Sequence, residues 1–168
     1  MFQIEEGDLV FRRGLGMASN FIVSSDRLGL YSHTGIIVRK NDSLLVLHAV
    51  PGEHPKGKKE TLKLERIDQF YDRKRAKAGA ILRPRISIEL RHVAANSALN
   101  LFNEGITFDH KYNLLDTSQM YCTEMVWFAY QRAGIDISQN KRTHVKLAMF
   151  NDDYIFPSDI YANDLFEE

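Results

Sequence analysis

The chain of 168 residues is long enough to bury one hydrophobic core and too short for two ordinary domains, so we predict a single domain over residues 1–168. Lysine and arginine number 22, as do aspartate and glutamate. This balance argues against a strongly charged surface. We therefore expect neither nucleic acid nor an anionic membrane as the main partner.

The beginning of the chain and its cysteine content bear on location. The first eight residues are acidic and lack the basic start and long apolar stretch of a secretory signal, and no run is long enough to span a bilayer. A single cysteine cannot form an internal disulfide, which fits a reducing compartment. We expect a cytoplasmic protein, whereas a periplasmic form would require a removed leader. The sequence does not predict the oligomeric state.

Strand patterns dominate the first half of the chain. The run Leu9-Val10-Phe11 follows a Gly-Asp turn and predicts a short buried strand. The apolar residues around Met17 to Val23 predict a brief helix. The runs His33 to Arg39 and Leu44 to Ala49 flank turn-forming residues at 40–43, and this arrangement predicts a β-hairpin.

The middle of the chain mixes the two patterns. Thr61 to Leu64 and Ala80 to Arg85 predict strands, and the apolar spacing between Glu65 and Lys77 predicts a helix. A long helical period then runs from Ser87, the expected N-cap, to Gly105, the expected stop.

Helical patterns follow in the second half. We expect a helix from Cys122 to Ala133, closed by Gly134, and a last short helix from Asp159 to Leu165. Strands in the first half and helices in the second indicate an α+β fold.

The lone cysteine occupies the first turn of the predicted helix at Cys122. Free N–H groups and the positive end of the helix dipole favour a thiolate there and are expected to lower the thiol pKa from about 8.5. The same N–H groups can stabilise an oxyanion. The alternative interpretation of Cys122 is a small buried hydrophobic residue.

Two histidines could act with such a thiolate, one as its base and the other as the residue that orients the base. A cysteine nucleophile needs a histidine, and that histidine needs a polar group to orient its ring. With a turn near residues 40–42, hairpin partners sum to about 81 or 82, which places His33 opposite residue 48 or 49 and therefore beside His48. Cys122, His33 and His48 could instead hold zinc, although no acidic ligand lies at ligand spacing. The other histidines, His54, His92, His110 and His144, have no comparable setting.

Five short motifs follow one another along the chain: Gly7-Asp8-Leu9-Val10, Ser32-His33-Thr34-Gly35-Ile36, Phe108-Asp109, Tyr121-Cys122-Thr123-Glu124-Met125-Val126 and Phe156-Pro157-Ser158-Asp159. Together they resemble the YiiX/YebB-like permuted papain-fold cysteine peptidases and amidases, a permuted branch of the NlpC-type superfamily. The resemblance extends over about residues 6–160. It implies a circularly permuted papain-like fold, with a small antiparallel sheet or barrel packed against helices.

The resemblance also implies roles for particular residues. Cys122 would be the nucleophile, His33 the base, and the orienting polar residue on the next strand falls on His48, where relatives carry glutamate. A neutral histidine can accept the orienting hydrogen bond but stabilises an imidazolium less than a carboxylate does. The oxyanion hole would use the Cys122 N–H and a further donor, for which Tyr31 is a candidate. Asp109 and Tyr112 would hold the loop beside the pocket.

Three functions are compatible with this pattern. The first is hydrolysis of an amide or related acyl bond in a small peptide, amide or acyl substrate through a Cys122 thioester, with no cofactor and no metal. The second is acyl transfer or lipid-ester hydrolysis, as in the related lecithin:retinol acyltransferases. The third is a binding module that retains the fold without turnover, an option that His48 in place of a carboxylate keeps open.

Overall fold

A computed structural model describes residues 3–147 and 150–166. The elements in chain order are β1 Leu9–Gly14, α1 Met17–Ser25, β2 His33–Lys40, β3 Ser43–His48, β4 Lys63–Glu65, α2 Ile67–Phe70, β5 Ala76–Leu82, α3 Ile88–Glu104, β6 Thr107–Phe108, β7 Gln119–Met120, α4 Cys122–Gln131, β8 Thr143–Leu147, β9 Phe150–Tyr154 and α5 Pro157–Tyr161. The class is α+β, as the sequence predicts.

The largest sheet is antiparallel and carries the strands in the order β4-β3-β2-β1-β5. Its two end strands do not pair with each other, so the sheet is open and the barrel option is wrong for the described residues. One face packs against α3 and α4 in the main core, and a smaller cluster around Phe70 covers part of the other face. Cover on both faces explains why the first six residues of β2 are all buried and why its centre, Ile36 to Val38, is continuously apolar.

The predicted hairpin is present as β2 and β3, but its register differs from the expected one. Asn41 and Asp42 form a two-residue turn with φ values of 48° and 59°, the backbone that closes tight hairpins. Paired residue numbers sum to 83, as in Ile36 with Leu47, rather than 81 or 82. Extending this register places His33 diagonally from His48 on the same face instead of directly opposite.

The long helix α3 has the predicted boundaries. The Ser87 hydroxyl accepts a hydrogen bond from the Leu90 N–H at 3.4 Å, and Gly105 ends the helix with φ 75°. Helix α4 begins at Cys122 as predicted and ends at Gln131, two residues before the expected end. The last helix begins at Pro157, earlier than predicted, because Phe156 rather than a later residue is the N-cap.

Other boundaries were wrong, and long-range pairing explains most of them. The helix expected over 65–77 is reduced to the single turn of α2, since β5 already begins at Ala76 to extend its ladder with β1. The predicted strand at 61–64 is β4, Lys63–Glu65, and the one at 80–85 ends at Leu82. The sequence prediction also missed the β8–β9 hairpin. No helix within the described ranges is both long and apolar enough to cross a membrane.

Candidate active site

A cavity of about 640 Å³ opens beside the N-terminus of α4. Cys122 and His33 both line it, so the structure brings the predicted nucleophile and base to one pocket. Arg12 and Glu53 are among the polar residues of the lining, while α1 and the β8–β9 hairpin contribute mainly apolar side chains. Such a mixture of a polar patch and apolar walls is typical of small-molecule sites.

Cys122 is partly buried at the first position of α4. Burial raises the pKa of its thiol, although backbone N–H groups of Thr34, Thr123 and Cys122 itself act in the opposite direction. The expectation of a lowered thiol pKa is therefore wrong, because the sequence shows the helix N-terminus but not the desolvation around the sulfur. A thiol rather than a thiolate is the resting form at neutral pH.

His33 and His48 form the central contact of the site. His33 Nε2 lies 2.7 Å from His48 Nδ1, and His48 Nε2 lies 3.0 Å from Glu65 Oε1. The three residues come from the adjacent strands β2, β3 and β4. The Phe70 ring stacks on His33 at 5.7 Å and meets His48 edge-on at 5.1 Å, so it fixes the planes of both imidazoles.

Both imidazoles are held in the neutral form. Burial lowers the pKa of His33 well below its ordinary value, and the positive charges of Arg12 and Lys63 contribute in the same direction. Burial also lowers the pKa of His48, against the opposing effect of its hydrogen bond to Glu65. A neutral imidazole can accept a proton, so His33 has the protonation state that a general base requires.

Glu65 and Glu53 both form salt bridges with the same positively charged side chains next to the histidine pair. Lys63 Nζ and Arg75 Nη1 lie 2.7 and 2.8 Å from Glu65 Oε2. Glu53 contacts the same two cations at 2.8 and 3.3 Å and Arg12 Nη2 at 2.5 Å. Burial opposes ionisation of Glu65, but hydrogen bonds from His48 and Lys63 outweigh it and lower the pKa of this carboxyl.

Tyr31, the candidate oxyanion donor, lies elsewhere. Its ring packs against Phe11 at 5.7 Å and Tyr161 at 5.3 Å, and it does not line the cavity. Tyr112 does line it, at φ 55°, in a loop whose N–H groups at Lys111 and Asn113 bond to the Asp109 carboxylate. Asp109 therefore holds the loop as expected, while burial and nearby Cys122 raise the pKa of Tyr112 to about 12.

The remaining histidines lie outside the cavity lining. His110 and His144 form hydrogen bonds with the carboxylates of Glu60 and Asp153, and neither has a predicted role. Three residues of the site escaped sequence analysis: Arg12, Glu53 and Glu65. A strand pattern ending just before Glu65 was visible, but only the pairing of β4 with β3 brings its carboxylate to His48.

Comparisons with known proteins bear on the family and the fold. Residues 3–160 match the family described as permuted papain-like amidase enzyme, YaeF/YiiX, C92 family. The chain belongs to this family. A solved structure described as metalloprotein YiiX from Escherichia coli O157:H7 superimposes with a TM-score of 0.77 at 20% identity, covering 99% of this chain and 96% of that one. No curated protein sequence matches significantly. The permuted papain-like fold expected from the sequence is thus confirmed.

The word metalloprotein in the description of that relative raises the question of a metal here. Within the described ranges, the only group of three suitable ligands is His48, Glu53 and Glu65, whose atoms lie within 4.8 Å of one another. Both carboxylates are already neutralised by three cations, and both ring nitrogens of His48 are bonded. These residues fit an ion-pair network and do not fit a metal. The alternative zinc set, which includes Cys122 and His33, does not converge.

Proposed function

We propose that this member of the amidase family is a cysteine hydrolase that cleaves an amide or related acyl bond through a thioester at Cys122. His33 is the proposed base and His48 the residue that orients it. The observation that carries the proposal is that one cavity is lined by the first residue of α4 and by a neutral histidine bonded to a second histidine at 2.7 Å. The proposed reaction requires no cofactor.

The raised thiol pKa and lowered imidazole pKa favour general-base activation over a preformed ion pair. As the Cys122 sulfur attacks the carbonyl carbon, its proton moves to His33 Nδ1, the ring nitrogen not bonded to His48. The imidazolium then protonates the leaving amine or alcohol, and a thioester remains. Water deprotonated by His33 attacks the thioester, the acid is released and the proton returns to sulfur.

Backbone N–H groups are the proposed source of oxyanion stabilisation. Those of Cys122, Thr123 and Thr34 already act on the sulfur and favour negative charge beside it. They replace Tyr31 in this role, because its ring packs against Phe11 and Tyr161 and does not line the cavity. The charge of Arg12 adds to the same field.

The walls of the cavity favour a substrate with an apolar part. Phe21 and Ile22 of α1 face the cavity together with Val145 and Phe150 of the β8–β9 hairpin. An acyl group could bury its surface there while its carbonyl lies at Cys122. This lining also supports the second candidate, acyl transfer or lipid-ester hydrolysis. A binding module without turnover is the third.

Intact-protein mass spectrometry can separate the three. The protein is incubated with a panel of acyl amides, acyl esters and acylated peptides, with and without an added amine or alcohol acceptor. Hydrolysis predicts transient mass addition at Cys122 and release to water, whereas transferase activity predicts transfer to the acceptor. Cys122→Ser is the control that must lose the thioester. A panel that binds without acylating Cys122 would contradict both enzymatic functions and favour the binding module.

A further inference from the structure

Glu65 contacts His48 at the ring nitrogen that does not face His33, and its two carboxylate oxygens have different partners. Oε1 faces His48 Nε2 at 3.0 Å, while Oε2 takes Lys63 Nζ at 2.7 Å and Arg75 Nη1 at 2.8 Å. Cations on one oxygen keep the group ionised and leave the other oxygen aimed at the imidazole. A carboxylate held in this way can only accept a hydrogen bond.

We propose that Glu65 is a positioning residue that fixes the tautomers of both histidines and thereby makes His33 Nδ1 the basic atom of the site. This inference rests on the proposed function of Cys122 and His33. It adds to them a carboxylate on β4 that acts on His33 through His48, the histidine on β3 that occupies the expected orienting position.

The tautomers follow from donor and acceptor rules. Because the Glu65 oxygen accepts, His48 Nε2 must carry the proton, and Nδ1 of the neutral ring is then an acceptor. His33 Nε2, at 2.7 Å from that acceptor, must donate to it. The remaining nitrogen, His33 Nδ1, has a free lone pair with which to take the thiol proton.

The same chain of bonds stabilises the imidazolium formed during the reaction. When His33 is protonated, its Nε2–H still donates to His48, whose Nε2–H donates to an ionised carboxylate. The negative charge of Glu65 lies one imidazole ring further from His33 than in a direct histidine–carboxylate pair, so it stabilises the His33 imidazolium less. A proton passed from His33 to His48 would also be stabilised by Glu65.

Other charged groups face the same pair and are part of this balance. Arg12 and Lys63 lie close enough to disfavour protonation of His33, and Glu53 offsets them near His48. Glu53 shares the cations of Glu65 but forms no hydrogen bond with either imidazole in the described structure. Only Glu65 therefore has the geometry to select a tautomer.

Nitrogen-15 NMR of the imidazole rings at neutral pH tests the proposal on the unaltered protein. We expect a proton on Nε2 of both His33 and His48. A proton on Nδ1 of His48 would overturn the proposal, and this measurement does not depend on turnover. In Glu65→Gln the amide can donate or accept, so the two tautomers of His48 should both be populated.

The second readout is the rate of Cys122 alkylation by iodoacetamide as a function of pH. Glu65→Gln should lower the neutral-pH rate about 10- to 100-fold, by analogy with the loss seen when the partner that orients a metal-bound histidine is removed. The matched control is Glu60→Gln, which removes a carboxylate bonded to the exposed His110 at 2.6 Å. It should leave the rate unchanged.

The outcomes distinguish the two proposals. An alkylation rate that depends on His33 but not on Glu65 would overturn the role of Glu65 and leave the proposed function intact. The expected tautomers without any acylation of Cys122 by substrates would support Glu65 and contradict the hydrolase. If Glu65→Gln does not fold, Lys63→Met provides the second variant. Arg75 still holds Glu65 Oε2 at 2.8 Å in that variant, so nitrogen-15 NMR should still find the proton on His48 Nε2, and a proton on His48 Nδ1 would contradict the proposal.

Discussion

The two walls of the cavity are built in different ways. The catalytic wall reaches the cavity through His33 on β2 and is supported by β3 and β4, so that His33, His48 and Glu65 are buried and each has a defined bonding partner. The apolar part of the lining, which we call the facing wall, includes α1, none of whose residues is buried. Polar contacts hold this helix near its two ends, through Ser19 with Ser32 at 2.6 Å and through the Asp26 carboxylate.

This contrast indicates a division of tasks. Proton transfer needs donors and acceptors fixed within tenths of an ångström, which a packed sheet provides. Binding an acyl group requires mainly apolar surface, which a lightly anchored helix can supply. Changes in the catalytic wall should therefore alter chemistry or stability, and changes in the facing wall should alter affinity.

The largest effect is expected from His33→Ala. The unaltered protein should alkylate at a steady rate from neutral pH down to the lowered pKa of His33, below which the protonated base is inactive. Without His33 the rate should fall about 10²- to 10⁴-fold at neutral pH and follow only the thiolate fraction, rising with pH towards the raised thiol pKa. Iodoacetamide kinetics between pH 5 and 10 measure this. Identical profiles for the two proteins would refute His33 as the base.

Gly35→Ala tests how closely the catalytic wall is packed. A Cβ at this position would lie 2.9 Å from the Leu47 carbonyl oxygen and 3.0 Å from the His48 Cβ. We expect a loss of about 1–3 kcal/mol in the free energy of unfolding from overpacking, together with slower Cys122 alkylation because His48 shifts.

Gly134→Ala is the comparison for Gly35→Ala, because its φ of 76° strains an alanine beyond the C-terminal end of α4, the end opposite Cys122. It should destabilise the protein without altering the pH profile of alkylation. Urea unfolding and alkylation kinetics on both variants provide the measurements. If both variants alter the pH profile of alkylation equally, the effect of Gly35→Ala reflects a general loss of packing rather than a shift of His48.

The buried neutral histidines predict a pH dependence of stability. Their folded pKa values lie below the unfolded value of about 6.5, so the unfolded state binds more protons as the pH falls through that value. The free energy of unfolding should decrease below pH 6.5, with a limiting slope of about 1.4 kcal/mol per pH unit for each histidine.

Urea titrations between pH 5 and 8 measure this slope and stay above the range where Glu65 would begin to contribute. His48→Gln should reduce the slope, because it removes one of the two buried imidazoles. A stability that rises on acidification would contradict the neutral state assigned to the pair.

The smallest effect on the protein itself is expected from Phe21→Ala in the facing wall. Phe21 lines the cavity and contacts Phe150 with ring centroids 5.5 Å apart. Its loss should raise KM for an acyl substrate about 10-fold with little change in kcat, and change the free energy of unfolding by less than about 1 kcal/mol. Ser24→Ala on the same helix is the control, since Ser24 does not line the cavity. A large fall in kcat would show that α1 takes part in the reaction and would contradict the distinction between the two walls.

Local chemistry made several features predictable. Ser87 and Gly105 mark the ends of α3 because capping and left-handed backbone depend on a few neighbouring residues. Cys122 opens α4 for the same kind of reason. The hairpin was predictable from its turn residues, although the register was not, since it depends on which two residues form the loop.

The sequence by itself determined the α+β class, the family resemblance and the candidates Cys122, His33 and His48. Tertiary structure decided the pKa of the thiol and the partners of the histidines, because both depend on residues that are distant along the chain. Desolvation by the surrounding fold raises the thiol pKa that the helix N-terminus alone would lower. Likewise, pairing of β4 with β3 brings Glu65 to His48, a contact between residues 17 positions apart that no local pattern encodes.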